Sequence, residues 1–144
     1  MNRHTIVIDT NVIFSALRSR QGMSYALMSQ IHRQDIQIAI SVPLIIEYEK
    51  VLLEHQNHLV FSLEELTDYL DYICTIALHH KIHYLWRPIL KDPKDDMVLE
   101  VAVAANSRFI ITFNKKDFVG SEKFGVSSVT PKEFLLFLER GVSS

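Results

Sequence analysis

The sequence has 144 residues, 48% of them apolar, with 15 basic and 17 acidic side chains and a formal net charge of −2. That length suits one domain with a sizeable core, and the apolar content excludes a disordered chain. The near-neutral balance argues against a protein that coats nucleic acid through bulk charge, but it leaves room for a basic rim around an acidic site.

The single cysteine, Cys74, rules out an intramolecular disulfide. It falls in an apolar helical pattern and reads as a buried, inert thiol. The first residues, MNRHTIVIDT, hold too short an apolar run for a signal peptide. No window approaches the ~20 apolar residues of a membrane span. A protein of a reducing cytoplasm is the expectation, with residues 1–144 forming one domain.

In chain order, Thr5 to Ile8 is apolar or β-branched and predicts a strand, and Val12–Leu17 starts a helix. RSRQG (Arg18–Gly22) is a polar break. Apolar residues at Met23, Ala26, Leu27 and Ile31 predict a helix over Met23–Arg33, and Asp35–Val42 a second strand. Pro43 suits the first turn of a helix whose apolar face is Leu44, Ile45, Tyr48, Val51 and Leu52. SLEE (Ser62–Glu65) is a capping box opening a long helix lined by Leu63, Leu66, Tyr69, Leu70, Ile73, Ile76 and Ala77. A short third strand is expected within His79–Trp86. KDPKDD (Lys91–Asp96) reads as a loop leading into a helix that buries Val98, Leu99, Ala102, Val103 and Ala105. Arg108–Asn114 and Phe124–Val129 are strand-like, and TPKE (Thr130–Glu133) caps a final helix through Leu138. Alternating strands and helices predict a three-layer α/β/α sandwich around a parallel sheet of four or five strands.

Ligands of parallel α/β sheets bind beyond the carboxyl ends of the strands. Several polar groups fall there. Asp9 ends the first strand, Glu47 follows the second, Asp95 and Asp96 open a helix, and Asn114 and Asp117 follow the Ile110–Thr112 run. Each has an ordinary explanation when taken alone: a helix cap for Asp9, Asp95 and Asp96, a solvated helix residue for Glu47, a turn for Asn114 and Asp117. Together they form a carboxylate set that is costly to cluster without a cation. Such hard oxygen donors suit Mg²⁺ or Mn²⁺, whose bound water can attack a phosphodiester. His79, His80 and His83 cluster, but no cysteine pair or HExxH pattern accompanies them, so a solvated helix end is preferred to zinc. Neither GxGxxG, GxxxxGK[ST] nor GxSxG occurs, which removes support for nucleotide cradles and serine hydrolases.

The order VIDTNVIFSAL, PLIIEYEKVL, DPKDDMVLEVAVAA, FIITFNKKDF resembles the PIN-domain ribonucleases, most closely the VapC-like branch of toxins in toxin–antitoxin pairs. The resemblance spans roughly Thr5 to Leu138. It implies an α/β sandwich that cuts RNA with three or four acids holding Mg²⁺ or Mn²⁺. Asp9 matches the first acid, Glu47 the second, and Asp95 the third, with Asp96 as an alternative metal ligand. Thr112 and Asn114 match the Ser/Thr-x-Asp motif, and Thr10 and Asn11 would orient the first acid. The sequence departs from the family at Asn114, where many members carry Asp; Asp117 offers partial compensation, and a single-ion site is expected. Arg18, Arg20, Lys91, Lys94, Lys115 and Lys116 lie in loops beside the acids, and some of them are expected to hold the RNA backbone, preferably single-stranded; the RNA-binding set is Arg18, Arg20, Lys94, Lys115 and Lys116. An antitoxin and a second copy of the chain are the implied partners. The rival readings are a PIN domain that binds RNA or protein without catalysis, favoured by Asn114, and a structure-specific DNA nuclease, disfavoured by the absence of long insertions.

Overall fold

Three short apolar runs become the central parallel strands of the sheet, and polar caps directly after two of them, Asp9 and Ser41, start the helices that follow. The computed structural model describes residues 3–82 and 90–143. The strands are β1 (His4–Ile8), β2 (Ile36–Ile40), β3 (Leu78–His79), β4 (Phe109–Ile111) and β5 (Ser127–Val129). The helices are α1 (Thr10–Arg18), α2 (Met23–Met28), α3 (Val42–Glu54), α4 (Leu63–Ile76), α5 (Pro93–Ala104) and α6 (Pro131–Ser143). The sheet runs β3-β2-β1-β4-β5 with every pairing parallel. This is the three-layer α/β/α arrangement that strand–helix alternation predicts.

The two central strands are buried on both faces. Ile6, Val7 and Ile8 of β1 and the whole of β2 are enclosed. Gln37, the polar member of β2, donates its amide to the Ile76 carbonyl at 3.1 Å. α5 packs across β1, β2 and β4, while α2 lies between α1 and α6. Helix α5 is buried nearly all round, with Val98, Leu99, Glu100, Val101 and Ala102 enclosed. Its sequence therefore lacks the one-sided stripe of a surface helix.

Both predicted capping boxes form. The Ser62 hydroxyl accepts from Glu65 N–H at 3.1 Å, and Glu65 accepts in return from Ser62 N–H at 2.9 Å. Thr130 and Glu133 repeat the exchange at 3.1 and 2.8 Å. Other boundaries differ from the sequence reading. Helix α2 stops at Met28 rather than Arg33, because the Ser29 hydroxyl and the Gln30 amide both donate to the Ala26 carbonyl, each at 2.9 Å, and a turn follows. α5 already begins at Pro93, capped by the Asp92 carboxylate that accepts from Lys94 N–H at 2.9 Å, so four of the six residues of KDPKDD are helical. Strand β3 forms at Leu78–His79, and residues 83–86 of the predicted strand, His83 included, lie outside the described residues. Leu63, expected on the buried face of α4, is exposed, and Leu66, Leu70 and Ile73 carry that face. Cys74 is half-buried, and its burial raises the thiol's pKa, as expected of an unreactive cysteine.

Strand β1 is flanked by β2 on one side and β4 on the other. The chain leaves β1 in one direction and returns to the opposite side after β3. The carboxyl ends of β1 and β4 therefore form the topological switch point, where the helices diverge and leave a crevice.

Candidate active site

That crevice is an open cleft of about 730 Å³. β1 supplies Asp9 at its end, where the chain must leave the sheet. Asp9 is the N-cap of α1: its Oδ1 accepts from Thr10 N–H at 2.8 Å. Its Oδ2 accepts from the Thr112 hydroxyl, also at 2.8 Å, across a separation of 103 residues. Thr112 is fully buried after β4, and its oxygen accepts in turn from Asn114 N–H at 3.0 Å. The ladder between β1 and β4 continues one step past the strands, with Asp9 N–H donating to the Ile111 carbonyl at 2.9 Å. Beneath it, the buried Tyr48 hydroxyl of α3 donates to the Ile8 carbonyl. Asp9 thus caps a helix and also points both oxygens into a fixed hydrogen-bond frame. Its ordinary role and its candidate functional role coincide.

Three helices add the other walls by helical spacing. Asn11, Phe14 and Arg18 line the cleft from α1, and Glu47 and Val51 from α3 with its C-cap His55, residues three or four apart. Asp92, Lys94 and Asp95 enter from the start of α5, and His58, Asn114 and Asp117 from short turns. Five carboxylates therefore share one cavity. Their proximity has electrostatic consequences. Burial, the largest cause, raises the Asp9 carboxyl above its ordinary range against the two hydrogen bonds, and Asp117 and Glu47 raise it further. Asp95 is pushed up to about 7, first by burial and then by Asp9, Asp117, Asp92 and Asp96.

Asp9, Glu47, Asp92, Asp95 and Asp117 offer hard oxygen donors, and the imidazoles of His55 and His58 line the same cleft. Among the described residues no three carboxylate, imidazole or thiolate groups are arranged to enclose a metal ion by themselves. The side-chain oxygen of Asn11, a residue that lines the cleft, is buried without a hydrogen-bond partner. An unpartnered oxygen beside acids held at raised pKa suits a hydrated Mg²⁺ or Mn²⁺, which takes one or two carboxylates and keeps several waters.

The sequence candidates divide. Asp9, Thr10, Asn11, Glu47, Asp95, Asn114 and Asp117 all line the cleft, and Thr112 holds Asp9 from behind. Asp96 does not line it. Successive helical residues are about 100° apart, so Asp96 turns into the core, almost fully buried, and accepts from Leu90 N–H at 2.9 Å. Among the basic residues, Arg18 and Lys94 reach the cleft, and Lys94 stands 3.8 Å from Glu47. Arg20 lines the cavity next to it. Lys91 and Lys116 are exposed outside it, and Lys115 pairs with Glu133 at 3.0 Å. Asp92, Phe14, His55 and His58 were not singled out in sequence. The signal for His55 was its place eight residues after Glu47, at helical spacing.

A carboxylate-lined cleft at the switch point of an all-parallel sheet marks the chain as an α/β domain that gathers acids from separate elements. The sequence pattern of the PIN domain matches residues 5–116, and the chain belongs to the PIN-domain family. In fold it is similar to the crystal structure of VapBC2 from Rickettsia felis bound to a DNA fragment from their promoter, with a TM-score of 0.61, 14% identity, and 88% of this chain and 98% of that chain covered. It is also similar to VapBC-1 from nontypeable Haemophilus influenzae, with a TM-score of 0.59, 13% identity, and 89% and 98% covered. No curated protein matches the chain in sequence.

Proposed function

We propose that this protein is a Mg²⁺- or Mn²⁺-dependent endoribonuclease for single-stranded RNA and the toxin of a toxin–antitoxin pair. The observation that carries the reading is the convergence of Asp9, Glu47, Asp92, Asp95 and Asp117 on one cleft, with Asp9 and Asp95 both held above their ordinary pKa. Membership of the PIN family supports the nuclease activity. The likeness to VapBC structures supports the antitoxin partner, and a homodimer is the companion expectation.

Asp9 and Asp95 would hold the ion, with Asn11 and Asn114 offering neutral oxygens. The bound ion supplies charge neutralisation at the phosphate and acidifies a water. The chain's own residues do the rest. Thr112 and the Thr10 N–H fix the Asp9 carboxylate, so no side-chain freedom is lost when substrate arrives. Glu47 faces the same space and orients the attacking water. Arg18, at the cleft rim, holds the RNA backbone by a charge-assisted contact. Among the described residues no helix is long and apolar enough to cross a membrane.

Cleavage of a single-stranded RNA is measured with Mn²⁺, with Mg²⁺ and with EDTA, beside identically purified Asp9→Asn protein. Metal-dependent cutting by the parent alone is the expected result. Equal cutting by the variant would reject the site. One observation favours a second reading, the non-catalytic module: Asn114 stands in the cleft without a carboxylate's charge. A folded parent that binds RNA but never cuts it would support the module. A DNA competitor that blocks RNA cutting by serving as a better substrate would move the assignment to a DNA nuclease.

A further inference from the structure

Arg18 lines two cavities. One is the acidic cleft. The other, of about 230 Å³, lies between the end of α1, helix α2 and the start of α4. Its walls include Tyr25, Phe61 and Tyr69, with Val60 and Arg20 at hand. This volume is below the ~300–1,000 Å³ of a drug-sized pocket, and it suits one planar ring. Two features separate it from ordinary surface. First, Lys94, the other Lys or Arg lining the acidic cleft, is committed to Glu47 at 3.8 Å. The guanidinium groups of Arg18 and Arg20 make no hydrogen bond or ion pair with any described residue. Second, aromatic and apolar groups stay open to solvent beside them, with Tyr25 41% and Val60 90% exposed.

We propose that this cavity is a nucleobase subsite: one base of a single-stranded RNA stacks against Tyr25 while Arg18 and Arg20 hold the flanking phosphates. The inference rests on the nuclease reading, since the shared Arg18 carries the strand from this cavity into the cleft. Unpaired guanidinium groups next to exposed rings match the alternation of charge and π-face along a single strand. Burial raises the Tyr69 hydroxyl's pKa, so it stays protonated beside an anionic backbone. A duplex cannot use such a cavity, because its bases are stacked on one another.

The test is binding and cleavage of a 5′-labelled single-stranded RNA of roughly 12 nucleotides, a length within the usual span of single-strand sites. A companion series carries one abasic position at each place along the strand. Anisotropy is read with Ca²⁺ and cutting with Mn²⁺, using the parent, Tyr25→Ala, Tyr25→Phe and Arg20→Gln, each checked by thermal melting. The expected result is one position at which base removal weakens parent binding about tenfold. The same removal should weaken Tyr25→Ala less than about twofold, and Tyr25→Phe should behave as the parent. Arg20→Gln should weaken binding equally at every position, as loss of a phosphate contact does. If Tyr25→Ala binds every RNA as the parent does, or if no single abasic position stands out, the subsite is rejected while metal-dependent cutting keeps the nuclease reading. If the position-specific loss appears but the parent never cuts, the subsite stands and the nuclease reading falls. A parent that binds no RNA rejects the subsite and leaves the cavity to a protein partner.

Discussion

Thr112 contributes one hydroxyl, and that hydroxyl serves two partners: it donates to Asp9 and accepts from Asn114 N–H. Thr112→Val keeps the shape and removes both bonds. Groups that hold a metal-binding carboxylate in this way typically matter 10–100-fold, so cleavage should fall by about that factor. Stability should drop by about 1–3 kcal/mol from the partners left unsatisfied, checked by urea unfolding beside initial rates. Asp95 makes the opposite prediction for stability. The unfolded chain releases an aspartate proton near pH ~4, whereas folded Asp95 holds it to about 7. The stability from that bound proton is full below the unfolded value and is lost as pH rises through about 7. In EDTA, the melting temperature should therefore decline between those two values and then level off. Asp95→Asn should flatten the decline and melt higher than the parent at pH ~8 while losing activity, the usual exchange between stability and function at such a site. An unchanged slope in the variant would remove Asp95 as the source.

At the scale of elements, the sequence was most legible where the determinants are local. The boxes at Ser62–Glu65 and Thr130–Glu133 formed as spelled, because both partners sit three residues apart and need no tertiary context. Ser62→Ala should cost about 1 kcal/mol by loss of the cap, read as a lower urea midpoint with unchanged slope, and should leave RNA cleavage intact. The central strands were legible for a related reason: a run enclosed on both faces is apolar without alternation. Boundaries failed where side chains compete with the backbone for carbonyls. Ser29 and Gln30 end α2 early, and Asp92 starts α5 inside a stretch rich in loop residues. The choice between Asp95 and Asp96 also belongs to this scale. Both have the right chemistry, and only the rotational phase of α5 decides that Asp95 faces the cleft and Asp96 the core.

For the whole molecule, the acids repel one another across elements that meet only in the folded state. A cation that binds the folded form alone should stabilise it by mass action, by about 2.7 kcal/mol at a hundredfold excess over Kd, and so raise the melting temperature. Mn²⁺ must displace the proton from Asp95, so the shift should be larger at pH ~8 than at ~6. Scanning fluorimetry in Mn²⁺ against EDTA checks this, and Asp9→Asn should lose the shift. A parent with no shift at either pH would reject the metal site. The sequence by itself determined the first, second, fourth and fifth strands, the helices capped by Ser62 and Thr130, the α/β class and the position of Asp9 at the end of the first strand, because apolar runs and caps are written in neighbouring residues. Only the tertiary structure decided which groups share a cavity. It joined Asp9 to Thr112 across 103 residues, brought Asp92, His55 and His58 into the cleft, and sent Asp96 and Lys115 away from it. Those outcomes depend on strand order and helix phase, which arise from packing between distant segments, and only His55, eight residues after Glu47, carries a trace of helical period.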